Sequence, residues 1–190
     1  EKNIQNNEID LAINDLKLLL KKYPDDSLSS KAQFKLASLY LSWKNDPVLG
    51  YKELNNTSMN YGQSIHGKQA EEQIKQFPEY IINKAESLRK QKLLKEAVNH
   101  LVYLIENYSQ NALASKGQYM LGDLYMNDFR DFTTAIQEYR KVLKEYSDSE
   151  QEPHALFMIG YIYANILNDF EKARVEYSKF ISRFPNHELT

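Results

Sequence analysis

The sequence predicts an all-α fold, an α-solenoid of stacked helical hairpins with about ten helices in a right-handed superhelix. Apolar residues recur with the 3.6-residue period of amphipathic helices along most of the chain. Glycine and proline number only 6 and 5 in 190 residues, too few for short strands joined by tight turns. Two helical templates alternate, and their copies lie 38 residues apart from Ala97 to Ala135, from Ala135 to Ala173 and from Gly122 to Gly160.

Taken in chain order, the first element is a helix of the second template, "AINDLKLLLKKYP" from Ala12. Ala12 is followed by apolar residues four, seven and eight positions on (Leu16, Leu19, Leu20) and by Tyr23 at eleven. "AQFKLASLY" from Ala32 introduces the first template: small, x, aromatic, x, aliphatic, small, x, aliphatic, Tyr. A faded second-template helix follows, with Gly50, Leu54 and Tyr61 in place but Asn55-Asn56-Thr57-Ser58 where other copies are aliphatic. From Tyr61 to the next small residue of the first template, Ala85, is 24 residues, against 14 from Tyr108 to Gly122 and from Tyr146 to Gly160. The ten extra residues predict an additional helix marked by Ala70, Ile74 and Phe77 and ended by Pro78. Thereafter the templates are regular: Ala97 opens a second-type helix, "GQYMLGDLY" from Gly117 is first-type and Ala135 second-type, "ALFMIGYIY" from Ala155 first-type and Ala173 second-type. The array thus divides into residues 1–77, with the degenerate repeat and the extra helix, and residues 78–190, with the regular hairpins. Both ends read as cut from a longer array.

The most apolar run, Phe157 to Leu167, is the third copy of the first-type helix. At eleven residues it falls far short of the roughly 20 that cross a bilayer. Ala37, Gly122 and Gly160 stand where a neighbouring helix must come close, which accounts for helix-weakening glycines inside apolar faces.

These positions resemble the tetratricopeptide repeat: aliphatic-Gly, Tyr three after the Gly, Ala opening the second helix, and an aromatic four later. Leu121, Gly122, Tyr125, Ala135 and Tyr139 fit that order, as do Ile159, Gly160, Tyr163, Ala173 and Tyr177, with Pro185 twelve after the last Ala. The usual unit is about 34 residues, so the copies here are the long form, similar to repeats of bacterial envelope proteins such as the outer-membrane assembly lipoprotein and the Tol-Pal-associated periplasmic coordinator. The resemblance implies a non-enzymatic scaffold for a protein or peptide partner, in a periplasmic or outer-membrane-associated setting, with a cytoplasmic one as the alternative. The chain begins at Glu1, which suggests a processed or excised fragment and leaves room for a lipid anchor upstream. The alternative function is a docking or regulatory region of a larger enzyme or secretion machine.

Such arrays present their first helices along a concave groove. The resemblance places Ser38, Leu41 and Ser42, then Asp123, Met126 and Asn127, then Tyr161, Ala164 and Asn165 along it. A lining of Tyr, Met and Asn suits an amphipathic or extended peptide; the same positions also fit ordinary solvated helix faces. The aromatic series Phe34, Tyr119, Phe157 reads as packing between hairpins, and the tyrosines Tyr40, Tyr125, Tyr163 as core. The Lys and Asn positions of the carboxylate clamp that binds chaperone tails hold Phe34, Ile82, Tyr119, Phe157 and Ser38, Glu86, Asp123, Tyr161, so that clamp is not expected.

The net charge of -2 and pI near 6.1 provide no overall basic field for nucleic acid. There is no cysteine, hence no disulfide or thiolate metal site. His66, His100, His154 and His187 are far apart in sequence and lack ligand spacing. No phosphate loop or Gly-x-Ser-x-Gly turn occurs. The expectation is therefore no cofactor, no metal and no catalytic residue.

Overall fold

The computed structural model describes residues 2–190, with side chains from Asn7 onward. Ten α-helices follow one another without a strand among the described residues: α1 Lys2–Lys22, α2 Ser29–Leu39, α3 Pro47–Tyr61, α4 Ile65–Lys75, α5 Phe77–Lys90, α6 Leu94–Asn107, α7 Ala112–Asp123, α8 Phe132–Glu145, α9 Gln151–Asn165 and α10 Phe170–Arg183. Two π-helical turns, Tyr40–Lys44 and Leu124–Phe129, continue α2 and α7. The chain forms two compact units, Glu1–Ile81 and Ile82–Thr190.

In the first unit α1 packs on α2, α2 on α3, and the extra helix α4 on both α3 and α2. Its core gathers Ile13 from α1 with Leu36, Leu39 and Tyr40, and Ile9, Ala12, Leu16, Leu20 and Leu49 close over it. In the second unit α6, α7, α8, α9 and α10 each pack on the next in sequence, and α7 also touches α9. Ala135, Ile136, Tyr139 and Val142 of α8 meet Ala155, Ile159 and Ile162 of α9 there. Each unit is therefore an all-α stack of helices packed as consecutive hairpins, as the solenoid class requires. The run from Phe157 falls on α9, as the third copy of the first-type helix must.

One boundary differs from expectation. The extra helix ends at Lys75, and Phe77 and Pro78 belong to the first turn of α5 instead of closing α4. Proline is as well suited to a first turn, where its missing N–H has no intrahelical acceptor, as to a position beyond a helix end. Burial decides between the two: Phe77 is only 1% exposed, so the chain must restart with Phe77 turned inward.

The hairpin turns are built alike in three copies. A residue in the left-handed region, Asn45 (φ 51°), Arg130 (φ 57°) or Asn168 (φ 53°), reverses the chain. The next residue, Asp46, Asp131 or Asp169, donates its backbone N–H to the carbonyl of Tyr40, Tyr125 or Tyr163 at 3.0, 2.9 and 2.8 Å. The carboxylate of the same aspartate accepts the N–H of Leu49, Thr134 or Lys172 and caps the second helix of the pair.

Candidate functional site

Close approach of the paired helices decides which side chains are left to face outward. A Cβ on Gly122 would lie 2.6 Å from Cε1 of Tyr139, and one on Gly160 2.7 Å from Cε1 of Tyr177. The rings of α8 and α10 thus rest on the bare backbone of α7 and α9, and a side chain at either glycine would force the pair apart. Tyr119 packs on the Tyr139 ring at 5.3 Å and Phe157 on Tyr177 at 5.6 Å. Both aromatics of the first-type template in this unit therefore serve packing within the hairpin, and Tyr119 also meets His154 of the next helix.

The positions following the glycines are presented differently. Asp123 is half-buried, and its carboxylate accepts the Tyr139 hydroxyl at 2.5 Å. Burial raises the Asp123 pKa above the usual carboxylate value, while the Tyr139 hydrogen bond and the charge of Arg89 oppose that rise. The sulfur of Met126 lies 3.8 Å from the same hydroxyl, so both residues are already engaged within the hairpin. Asn127 is exposed. Tyr161 is 38% exposed, Asn165 lies on the surface one turn on with its amide donating to the Tyr161 carbonyl at 3.2 Å, and Ala164 is half-buried.

Asp123 and Asn127 belong to the wall of a surface cavity of about 500 Å³, completed by Met120, Asp128, Glu86, Arg89, Lys90 and Lys92. At its edge Asp128 accepts Arg89 Nε at 2.6 Å and Lys92 Nζ at 3.0 Å. Burial works to raise the Asp128 pKa, but these two cations outweigh it and hold the carboxyl below its ordinary range. In the first unit, Ser38, Leu41 and Ser42 share a smaller concavity of about 200 Å³ with Leu54, Gln73, Gln76, Phe77 and Tyr80. Leu41 is buried at its base, 6% exposed, and Ser38 donates its hydroxyl to the Phe34 carbonyl at 3.0 Å.

Sequence reasoning missed two polar devices. The amide of Gln33 donates to Glu53, and that of Gln118 to Glu138 at 2.7 Å, each a buried bond joining the two helices of a hairpin. The pairs share a spacing of 20 residues, a signal that would have found them. The Arg89–Asp128–Lys92 cluster spans 39 and 36 residues with no repeated counterpart to reveal it. Among the described residues no group of three or more His, Asp or Glu could hold a metal ion, and no helix is long and apolar enough to cross a membrane.

Comparison with curated proteins yields no match. Two stretches, residues 117–149 and 154–187, match the family model of the tetratricopeptide repeat, a unit that generally mediates protein–protein interaction, and each takes in most of one hairpin, α7–α8 and α9–α10.

Proposed function

We propose that the chain is a non-enzymatic interaction scaffold whose second unit takes up a peptide or a partner helix along the outward positions of its first-type helices. One observation carries the reading. Asp123 and Asn127 of one repeat and Tyr161 and Asn165 of the next occupy equivalent positions 38 residues apart, and Asn127, Tyr161 and Asn165 stand exposed beside the buried Leu124 and Ile162. An exposed tyrosine between asparagine amides offers apolar area and backbone hydrogen bonds together, which is what an extended or amphipathic peptide requires. The cavity beside Asp123 adds both signs of charge to the rim, which favours a partner carrying complementary charge over a wholly apolar one. Its setting on this reading is bacterial envelope assembly, supported by the long form of the repeat; fractionation of the source cells with an antibody to the chain tests that part separately.

Selection of random twelve-residue peptides on the immobilised chain tests the groove. Selected peptides should bind with micromolar affinity and lose at least about tenfold on Tyr161→Asp or Asn127→Arg, the usual scale for a central contact. Peptides whose affinity neither variant changes would place binding elsewhere and remove this reading.

A further inference from the structure

We propose that the inserted helix α4 turns the first hairpin into a receptor for one aromatic side chain, a phenylalanine presented by a peptide, in the 200 Å³ pocket of the first unit. The inference shares with the preceding reading only the nature of the ligand, since every residue of the pocket lies in the other unit.

The floor is apolar: Leu41, Leu54 and Phe77 are 6%, 1% and 1% exposed. Phe77 and Tyr80 lie in a stacked pair, ring centroids 5.6 Å apart at 21°, and Tyr80 is fixed by donating its hydroxyl to the Leu41 carbonyl at 3.2 Å. Burial lifts the Tyr80 pKa to about 12, so the phenol stays neutral. The mouth is polar, with Ser42, Gln73 and Gln76 exposed around it.

Size and charge select the occupant. An apolar cavity of about 150 Å³ admits a benzene ring, so 200 Å³ holds one ring with its methylene. None of the eight lining residues carries a charge at neutral pH, so a cationic or anionic side chain would be desolvated there without a partner. An aromatic ring gains offset contact with the Phe77–Tyr80 pair. The serine and glutamine groups at the rim can then bond the amides on either side of the ring. Helix α4 is what makes this site. It supplies Gln73, and the short step from its end at Lys75 to α5 brings Gln76, Phe77 and Tyr80 against α2 and α3.

The probe is N-acetyl-L-phenylalaninamide, titrated into the whole chain and followed by methyl and amide NMR. The expected result is saturable shifts at the Leu41 and Leu54 methyls with a Kd of about 1 mM, as the efficiency of small ligands allows. N-acetyl-L-lysinamide should give none. Ser42→Trp, at an exposed position that cannot unhinge the core, should cap the mouth and weaken the shifts at least tenfold; Ser38→Leu should fill the pocket with the same effect. Shifts absent from Leu41 and Leu54, equal shifts with the lysine probe, or shifts that persist in Ser42→Trp would each overturn the proposal. None of these outcomes bears on the peptide selection at Tyr161 and Asn127.

Discussion

The hairpin α2–α3 of the first unit and the hairpin α7–α8 of the second solve one packing problem in opposite ways. In α7–α8 the bare backbone is on the first helix, at Gly122, and the ring that fills it comes from the second, at Tyr139. In α2–α3 the first helix has Ala37, fully buried, and the bare backbone is at Gly50 on the second helix, pressed by the Leu41 side chain of the first. What persists between the copies is the close approach, not the residue that grants it. The reversal has a functional side. Leu54 stands where α8 has Tyr139, so no ring crosses to α2, and the space beside Leu41 and Leu54 is left for the α4 insertion to enclose.

The strongest break of this comparison is Gly160→Leu. The new side chain must enter the space of the Tyr177 ring, which cannot rotate away without leaving Phe157, 5.6 Å distant. Overpacking of this kind costs about 3 kcal/mol, the upper end of the usual range, and should lower the melting temperature by roughly 6–12 °C at the scale for a chain of this size. An unchanged melting temperature would show that the hairpin is not held by this contact.

Next in size is acid sensitivity, which should differ between the two units. Burial tends to raise the Glu176 pKa, but hydrogen bonds and charge from Arg140 at 2.9 Å and Lys179 at 3.1 Å prevail and depress it. Asp128 is depressed for the same reason. A carboxyl with a depressed folded pKa adds stability that is fully present above its ordinary value, 4.5 for Glu176 and 3.8 for Asp128, and that is lost as pH falls through the folded value. Both residues lie in the second unit. Urea midpoints should therefore fall below about pH 4.5, and Glu176→Gln should flatten that fall. A variant that keeps the wild-type slope would refute the assignment to Glu176.

Much of this was legible in the chain, because repetition amplifies weak local signals. The 38-residue spacing located nine of the helices by template, and Gly122 and Gly160 stood out as small residues within apolar faces. Each was then found under a tyrosine of the following helix, four residues after its template alanine. Pro78 was misread because a proline marks either side of a helix boundary, and only the burial of Phe77 distinguishes them. The pocket at Leu41 was legible only in part: Ser38, Leu41 and Ser42 fall at groove positions of the repeat, but nothing pointed to Leu54, Gln73, Gln76, Phe77 and Tyr80 as the rest of its wall. It depends on where an unrepeated segment folds back, and residues 38–42, 54 and 73–80 share no period. The half-buried, hydrogen-bonded state of Asp123 was hidden for a related reason: an acid after a glycine on a helix reads as solvated until the Tyr139 hydroxyl opposite it is known.

The three capping aspartates are the next test, since they predict equality where the packing contacts predict difference. Asp46, Asp131 and Asp169 accept from Leu49, Thr134 and Lys172 at 2.9, 3.0 and 3.1 Å, and each closes the same left-handed turn. Replacement by alanine should cost about 1 kcal/mol in each case, read from urea midpoints. A cost confined to the second unit would show that the first hairpin is pinned by the α4 insertion and not by its own turn.

The smallest expected effect is the most discriminating. Gly50→Ala places a methyl against Cδ2 and Cγ of Leu41, closer than van der Waals contact allows, so that side chain must shift, and the pocket it lines offers space for the shift. Mild overpacking costs about 1 kcal/mol, while alanine gains about 1 kcal/mol over glycine inside a helix, so the unfolding midpoint should barely move. The same change at Gly122 puts its methyl 2.6 Å from Cε1 of the Tyr139 ring, which is fully buried and held in place by the Tyr119 ring and by its hydroxyl on Asp123, so the helix-propensity gain is overrun and the midpoint falls. Equal effects at Gly50 and Gly122 would mean that the space beside Leu41 is not open to a side chain. A neutral Gly50→Ala beside a destabilising Gly122→Ala shows that the first hairpin keeps yielding room where the second keeps none, and that room is what a binding pocket requires.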